Sequence, residues 1–184
     1  MKCAICEDKR CLRGEECREL STFNDRRKNI EAYLEDKEDM GIMEASASVP
    51  KNIPRLEEVA RYIENMSIER VGVAFCKGLH KEGRVIHKFL EDRGIEVYSV
   101  VCGNGGIDRG EVGIKKNSDV FEISCNPLGQ GSVLNKLKTE INIAVGLCVG
   151  HDMLFSKYSE APVTTLIVKD RINSHNPIEA LKNL

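Results

Sequence analysis

The sequence predicts an α/β protein built on a mainly parallel sheet of four or five strands, with helices on both faces and a small cysteine-rich metal-binding segment at its start. Three observations carry that expectation. From Val71 onward, short β-branched runs alternate with longer stretches of helical period, the order that a parallel sheet imposes. Glycine or proline marks breaks between them, at Gly94 and at Pro127 for example. Four of the eight cysteines fall between Cys3 and Cys17, and residues 1–20 hold five acidic side chains, five lysines or arginines and very little that is large and apolar. Such a segment cannot bury enough surface to fold by itself.

Taken in order, Ile30, Tyr33, Leu34 and Met40 recur at helical spacing. They predict one amphipathic helix from about Phe23 to Met43, capped by Ser21, Thr22 or Asn24. Pro50 and Pro54 interrupt it. Leu56, Val59, Ala60 and Ile63 then form a second stripe. The body follows with a strand at Val71–Phe75, a helix from Lys81 to Arg93 closed by Gly94, and a strand at Ile95–Val101. This is a βαβ unit, for which a right-handed crossover is expected. A polar, glycine-rich loop from Gly103 to Asp119 leads to a minor strand at Phe121–Ser124 and to a helix with Pro127 in its first turn, reaching about Lys138. The remaining elements are a buried strand at Ile141–Leu147, a short helix at His151–Tyr158, a strand at Val163–Val168 and a terminal helix at Ile178–Leu184. The division predicted is a metal-binding segment over 1–20, a helical connection over 21–66 and an α/β domain over 67–184.

Composition narrows the function. Hydrophobic residues at 41% and charged residues at 30% supply a core without the bias of a disordered chain. A formal charge of −2 and a pI near 6.1 give no global field for nucleic acid or an anionic membrane. Tryptophan is absent and aromatics are 5%, leaving few platforms for stacked bases. No run approaches the roughly 18 apolar residues of a membrane span, and MKCAICEDKRC lacks the apolar core of a signal peptide. No nucleic-acid or membrane partner is therefore expected, and the location expected is cytoplasmic. Cytosolic thiols are kept reduced, so eight cysteines point to metal rather than to disulfides.

Two constellations carry the chemistry. The first is Cys3-x2-Cys6-x4-Cys11-x5-Cys17, four thiols that can close a tetrahedral zinc site or anchor an iron–sulfur cluster. Either would fold the segment that holds them. The spacing matches neither a paired zinc ribbon nor a ferredoxin pattern, so it marks a site without naming the metal. Closed four-thiolate coordination tilts the choice slightly toward structural zinc.

The second depends on topology. Cys76, Cys102 and Cys148 each follow a predicted strand, and Cys125 precedes a helix start. Parallel strands send all their carboxyl ends, and the helices that follow, to one edge, where open α/β folds bind ligands. Convergence of Cys76, Cys102, Cys125 and Cys148 on a cofactor or small-molecule site is therefore expected, with His151, Asp152 and His175 nearby. The contrary reading is that cysteine is commonly a small buried hydrophobe. Asp152 reads as a helix-start residue or a partner to a ligand, and His80 and His87 as solvated surface. The glycine-rich stretches after Cys102 and Leu128 form neither a G-x-G-x-x-G fingerprint nor a Walker loop, and read as turns.

The segments Gly72-Val-Ala-Phe-Cys76, Cys125-Asn-Pro127, Gly146-Leu-Cys-Val-Gly-His-Asp152, Ser159-Glu-Ala-Pro-Val-Thr-Thr-Leu-Ile-Val-Lys-Asp-Arg171 and His175-Asn-Pro177 carry a resemblance. The chain resembles an uncharacterised family of cysteine-rich, predicted metal-binding proteins from mostly anaerobic bacteria and archaea. The likeness extends over nearly the whole chain and is specific in its second half. It implies metal binding and adds no substrate. Three functions then compete. The first is a zinc or iron–sulfur protein with a redox or small-molecule site at the strand edge. The second is an enzyme with Cys148 or Cys125 as nucleophile and His151 or His175 as base or acid. The third is a metal-stapled adaptor or metal carrier.

Overall fold

In the computed structural model, residues 2–114 and 119–182 are described, and the chain divides into two compact units, Met1–Val49 and Pro50–Leu184. In the first unit, two 3-10 turns at Cys3–Ile5 and Arg10–Arg13 precede three helices: α1 (Arg18–Ser21), α2 (Arg26–Glu35) and α3 (Lys37–Ser48). The single helix expected from Phe23 to Met43 is broken at Asp36, whose backbone is extended and whose carboxylate accepts from the Glu38 and Asp39 amides. An aspartate that satisfies otherwise orphaned N–H groups is a strong helix start, so the apolar period runs on while the helix does not. Asp25, rather than Ser21, Thr22 or Asn24, caps α2 by accepting from the Arg27 and Lys28 amides. Ala45 is this unit's buried residue among those described.

The second unit contains α4 (Arg55–Asn65), β1 (Arg70–Phe75), α5 (His80–Glu91), β2 (Glu96–Val101), α6 (Pro127–Lys136), β3 (Ile141–Val145), α7 (His151–Tyr158), β4 (Val163–Ile167) and α8 (Ile178–Leu181). The four strands are all parallel, in the order β2-β1-β3-β4. The minor strand expected at Phe121–Ser124 is reduced to one antiparallel bridge, Ile123 with Asp108. Here the Asp108 carboxylate takes the Glu122 amide, a side-chain contact in place of a ladder. The terminal helix ends at Leu181; residues 183–184, assigned to it above, lie outside the described residues, as do 115–118 of the long loop.

Alternation along the strands separates two cores. Val71, Val73, Phe75, Ile141, Ile143 and Val145 face one side and pack with Val59, Ala60 and Ile63 of α4 and Ile86 and Leu90 of α5. Ala74, Ala144, Cys76 and Cys102 face the other, with Leu134 of α6 and Phe155 of α7. Each large aliphatic side chain buried in this way contributes about 1.5–3 kcal/mol. The second face has small residues because α6 lies close. A Cβ on Gly72 would stand 1.9 Å from Asn142 Oδ1 and 2.8 Å from Leu134 Cδ1. Asn142 is fully buried and fully engaged, accepting from Thr139 Oγ1 at 2.9 Å and donating to Ser159 Oγ at 2.7 Å.

His80 is exposed, with its ring edge-on to Phe75 at 5.5 Å. His87 departs from the surface reading. It is half-buried on α5, with Nε2 3.4 Å from Glu91 Oε1 and a buried Nδ1 that has no partner among the described residues.

Candidate functional site

Helix α5, which follows β1, packs on one face, while α6 and α7 pack on the other. The segments that leave β1 and β3 therefore diverge, which makes the gap between these neighbouring strands the switch point of the sheet. A crevice opens at the carboxyl ends of strands at such a point.

The backbone at this edge is fixed by hydrogen bonds that prolong the sheet. Cys76 N donates to Val145 O at 3.1 Å, and Cys102 N donates to Phe75 O at 2.8 Å. Each cysteine thus continues its strand by one position. Asn126 N donates to Cys102 O at 2.6 Å, which sets Cys125 beside Cys102. Asn126 also caps α6, where Pro127 opens the helix and the Asn126 side chain accepts from Gly129 N at 2.9 Å. The buried side chain of Gln130 donates from Nε2 to Val100 O and Phe75 O at 2.7 and 3.3 Å, closing the ends of β1 and β2 from beneath. Its Oε1 is buried with no partner among the described residues.

On this frame two sulfurs meet: Cys125 Sγ lies 3.8 Å from Cys102 Sγ. Cys76 follows the neighbouring strand end, since Phe75 pairs with Val101. Lys77 N donates to Cys102 Sγ at 3.3 Å, and Lys169 Nζ donates to Cys76 Sγ at 3.4 Å. Cys148, in the turn beyond the end of β3, takes another partner, Arg171 Nη2 at 3.1 Å. Cys76 and Cys102 are buried, whereas Cys125 and Cys148 are half-exposed.

The environment separates the thiols electrically. Burial alone would raise the Cys76 thiol, but the Gly78 amide, the Lys169 ammonium and the Cys102 thiol all favour its thiolate and together hold it below the ordinary value. Cys102 is pushed up to about 12 by burial, against the Lys77 amide and with the Cys125 and Cys76 sulfurs adding to the rise. The result is a thiolate-favouring sulfur beside one that holds its proton.

The histidines are placed differently. His175 has a left-handed backbone, and its Nδ1 accepts from the Asp170 amide at 3.1 Å. Asp170 in turn accepts from the Ile172 and Asn173 amides, so the ring anchors the loop that carries Lys169 and Arg171. His151 is half-buried at the first position of α7, and its amide donates to Cys148 O at 2.9 Å. Asp152 accepts from the Met153 amide at the same helix start.

Sequence reasoning missed Lys169, Arg171 and Gln130. The two cations leave β4 at the same edge as the cysteines, so the topological argument that gathered the thiols could have gathered them too. Gln130 left no such signal, since a polar residue in a helix gives no sign of what it meets.

In the first unit, Cys3, Cys6, Cys11 and Cys17 line one cleft of about 720 Å³, together with Asp8, Arg10 and Glu19. Cys3, Cys6 and Cys11 are exposed, and Cys17 is half-buried. Arg10 and then Arg13 hold the Asp8 carboxyl below its ordinary range. Among the described residues, here and at the strand edge, no three His, Cys, Asp or Glu side chains are grouped so as to hold a metal ion.

An open parallel α/β sheet with cysteines gathered at the carboxyl edge of its strands defines the class of this protein. Within it, the chain belongs to the family described as protein of unknown function DUF1847, which matches residues 17–166. That span takes in Cys17 and all four strand-edge cysteines. The chain is also 43% identical over 186 residues to the uncharacterized protein MJ0455 of Methanocaldococcus jannaschii, a match covering 98% of this chain and 93% of the relative. No helix among the described residues is long and apolar enough to cross a membrane.

Proposed function

We propose that this is a thiolate metal-binding protein that works in the reducing cytoplasm. Cys3, Cys6, Cys11 and Cys17 hold zinc or an iron–sulfur cluster, and the strand-edge cysteines form a redox or small-molecule site. The observation that carries the metal reading is the shared cleft: four thiols line it, in a stretch whose own side chains are exposed or half-buried. A preformed site is rare in a segment that folds around its metal, because the ion gathers the ligands as it binds. The strand edge differs, since its sulfurs are fixed by strand ladders and cannot gather in this way. Its separated thiols and neighbouring cations support chemistry on sulfur instead.

The test is anaerobic purification followed by metal analysis and an absorption spectrum. One zinc per chain without visible absorption, or iron with sulfide and a visible band, is the expected result. Cys6→Ser should lose that centre, whereas an unchanged metal content in the variant would sink the assignment.

A further inference from the structure

We propose that Cys102 and Cys125 are a dithiol–disulfide pair that reduces low-molecular-weight disulfides, with Cys76 accepting the Cys102 proton. This rests on reading the strand edge as a redox site and is independent of any metal at the N-terminal cysteines.

The geometry assigns the three roles. Cys125 is half-exposed at the head of α6, so an incoming disulfide reaches it, while Cys102 is 3% exposed and Cys76 is 7% exposed. The Cys125 and Cys102 sulfurs are already in contact at 3.8 Å. The Asn126 amide on the Cys102 carbonyl holds the two backbones side by side. Cys76 follows the strand end next to that of Cys102, the amide of its neighbour Lys77 donates to Cys102 Sγ at 3.3 Å, and Lys169 Nζ at 3.4 Å prepares the Cys76 sulfur to carry negative charge.

The reaction balances in two exchanges. In the first, the Cys125 thiolate, having lost its proton to solvent, attacks a disulfide R–S–S–R. One S–S bond breaks and another forms, giving Cys125–S–S–R and releasing RS⁻, which takes up a proton. In the second, Cys102 passes its proton to the Cys76 thiolate, and its sulfur attacks Cys125 Sγ. The second RS⁻ leaves, taking the proton from Cys76, and the Cys102–Cys125 disulfide remains. The substrate disulfide gains two electrons and two protons, and the cysteine pair loses them. A dithiol reductant restores the pair by the reverse exchange.

The test uses the reduced full-length chain and one equivalent of an aromatic disulfide whose released thiolate is coloured, followed by peptide mapping under acid. Cys102 and Cys125 fall on separate tryptic peptides, and adducts on the N-terminal cysteines fall on others. Wild type should release two thiolates per disulfide at this site and yield a Cys102–Cys125 cross-linked peptide. Cys102→Ser should retain the adduct on Cys125, Cys125→Ser should yield no cross-link, and Cys76→Ser should slow the second release by about a hundredfold. If wild type keeps the adduct on Cys125 without cross-linking, the pairing is wrong. If Cys125 is found in neither an adduct nor a cross-link, the redox reading of the strand edge falls with it. Both outcomes are read on wild type, so they stand even if a buried substitution prevents folding.

Discussion

The Lys169 ammonium stands 3.4 Å from the Cys76 sulfur although 93 positions separate the two residues. The sheet alone brings them together: Cys76 leaves β1 and Lys169 leaves β4 at the same edge, across the end of β3. A cation in hydrogen-bonding contact with a thiol favours the charged form.

Removing that charge is the first prediction. In Lys169→Met, the Cys76 thiol should rise toward or above its ordinary value, because burial would then act with less opposition. Alkylation by iodoacetamide, followed at the Cys76 peptide as a function of pH, should shift its midpoint upward. The sign for stability follows. A thiol depressed in the folded state contributes stability above its unfolded value of 9.0, and that contribution is lost as pH falls through the lower folded value. Lys169→Met should therefore lose stability mainly at alkaline pH, and an unmoved alkylation profile would show that Lys169 does not act on Cys76.

Cys102 predicts the opposite dependence. Its thiol is raised from 9.0 to about 12, so the stability it gives is complete below pH 9.0 and declines as pH rises through about 12. Denaturant midpoints measured across that window should fall, and Cys102→Ala should flatten the decline. At neutral pH the same variant should be only mildly destabilised, since it replaces a small buried side chain with a smaller one.

How much of this was legible in the sequence depends on what each feature rests upon. The parallel order and the placement of Cys76, Cys102 and Cys148 follow from period and from the cysteines' positions after apolar runs, which are local properties. The break at Asp36 was less legible because a helix cap competes with an uninterrupted apolar stripe, and the carboxylate won. Phe121–Ser124 alternates apolar and polar side chains as a strand would, yet it forms only the bridge from Ile123. Strand propensity supplies no partner, and at this place the Asp108 carboxylate takes the backbone donor. The half-burial of His87 and the contacts of Lys169 and Arg171 are tertiary, set by packing between distant elements.

Gly72 tests the packing behind the site. Gly72→Ala would drive a methyl into Asn142 Oδ1 and Leu134 Cδ1, which stand 1.9 and 2.8 Å from the ideal Cβ. Asn142 cannot yield cheaply, because it is buried and bonded to both Thr139 and Ser159. The expected cost is about 1–3 kcal/mol in urea unfolding. A value near zero would mean that α6 can lift from the sheet without loss.

Asp36 offers a separate test in the first unit. Asp36→Ala removes the acceptor for the Glu38 and Asp39 amides and should cost α3 about 1 kcal/mol. The extended backbone at residue 36 should then be free to join α2 and α3 into the continuous helix that the apolar period favours. Carbon chemical shifts at residues 35–38 would become helical if so, and would stay extended if the break has another cause.

The last prediction concerns the N-terminal cleft. Residues 2–16 have exposed side chains and their backbone bonds are short-range turns, such as Cys6 N to Cys3 O and Gly14 N to Cys11 O. Ion pairs such as those of Asp8 with Arg10 and Arg13 are exposed and screened by salt, so they are a weak tether. If metal supplies the missing free energy, a chelator should abolish amide protection over residues 3–17 in hydrogen exchange. The α/β core, whose packed clusters begin at Val59, should keep its own protection. Adding zinc back under reducing conditions should restore the protected turns, and Cys11→Ser should not respond to it. Protection that survives chelation in the wild-type chain would mean that the segment is organised without metal, and the four-thiolate assignment would fail.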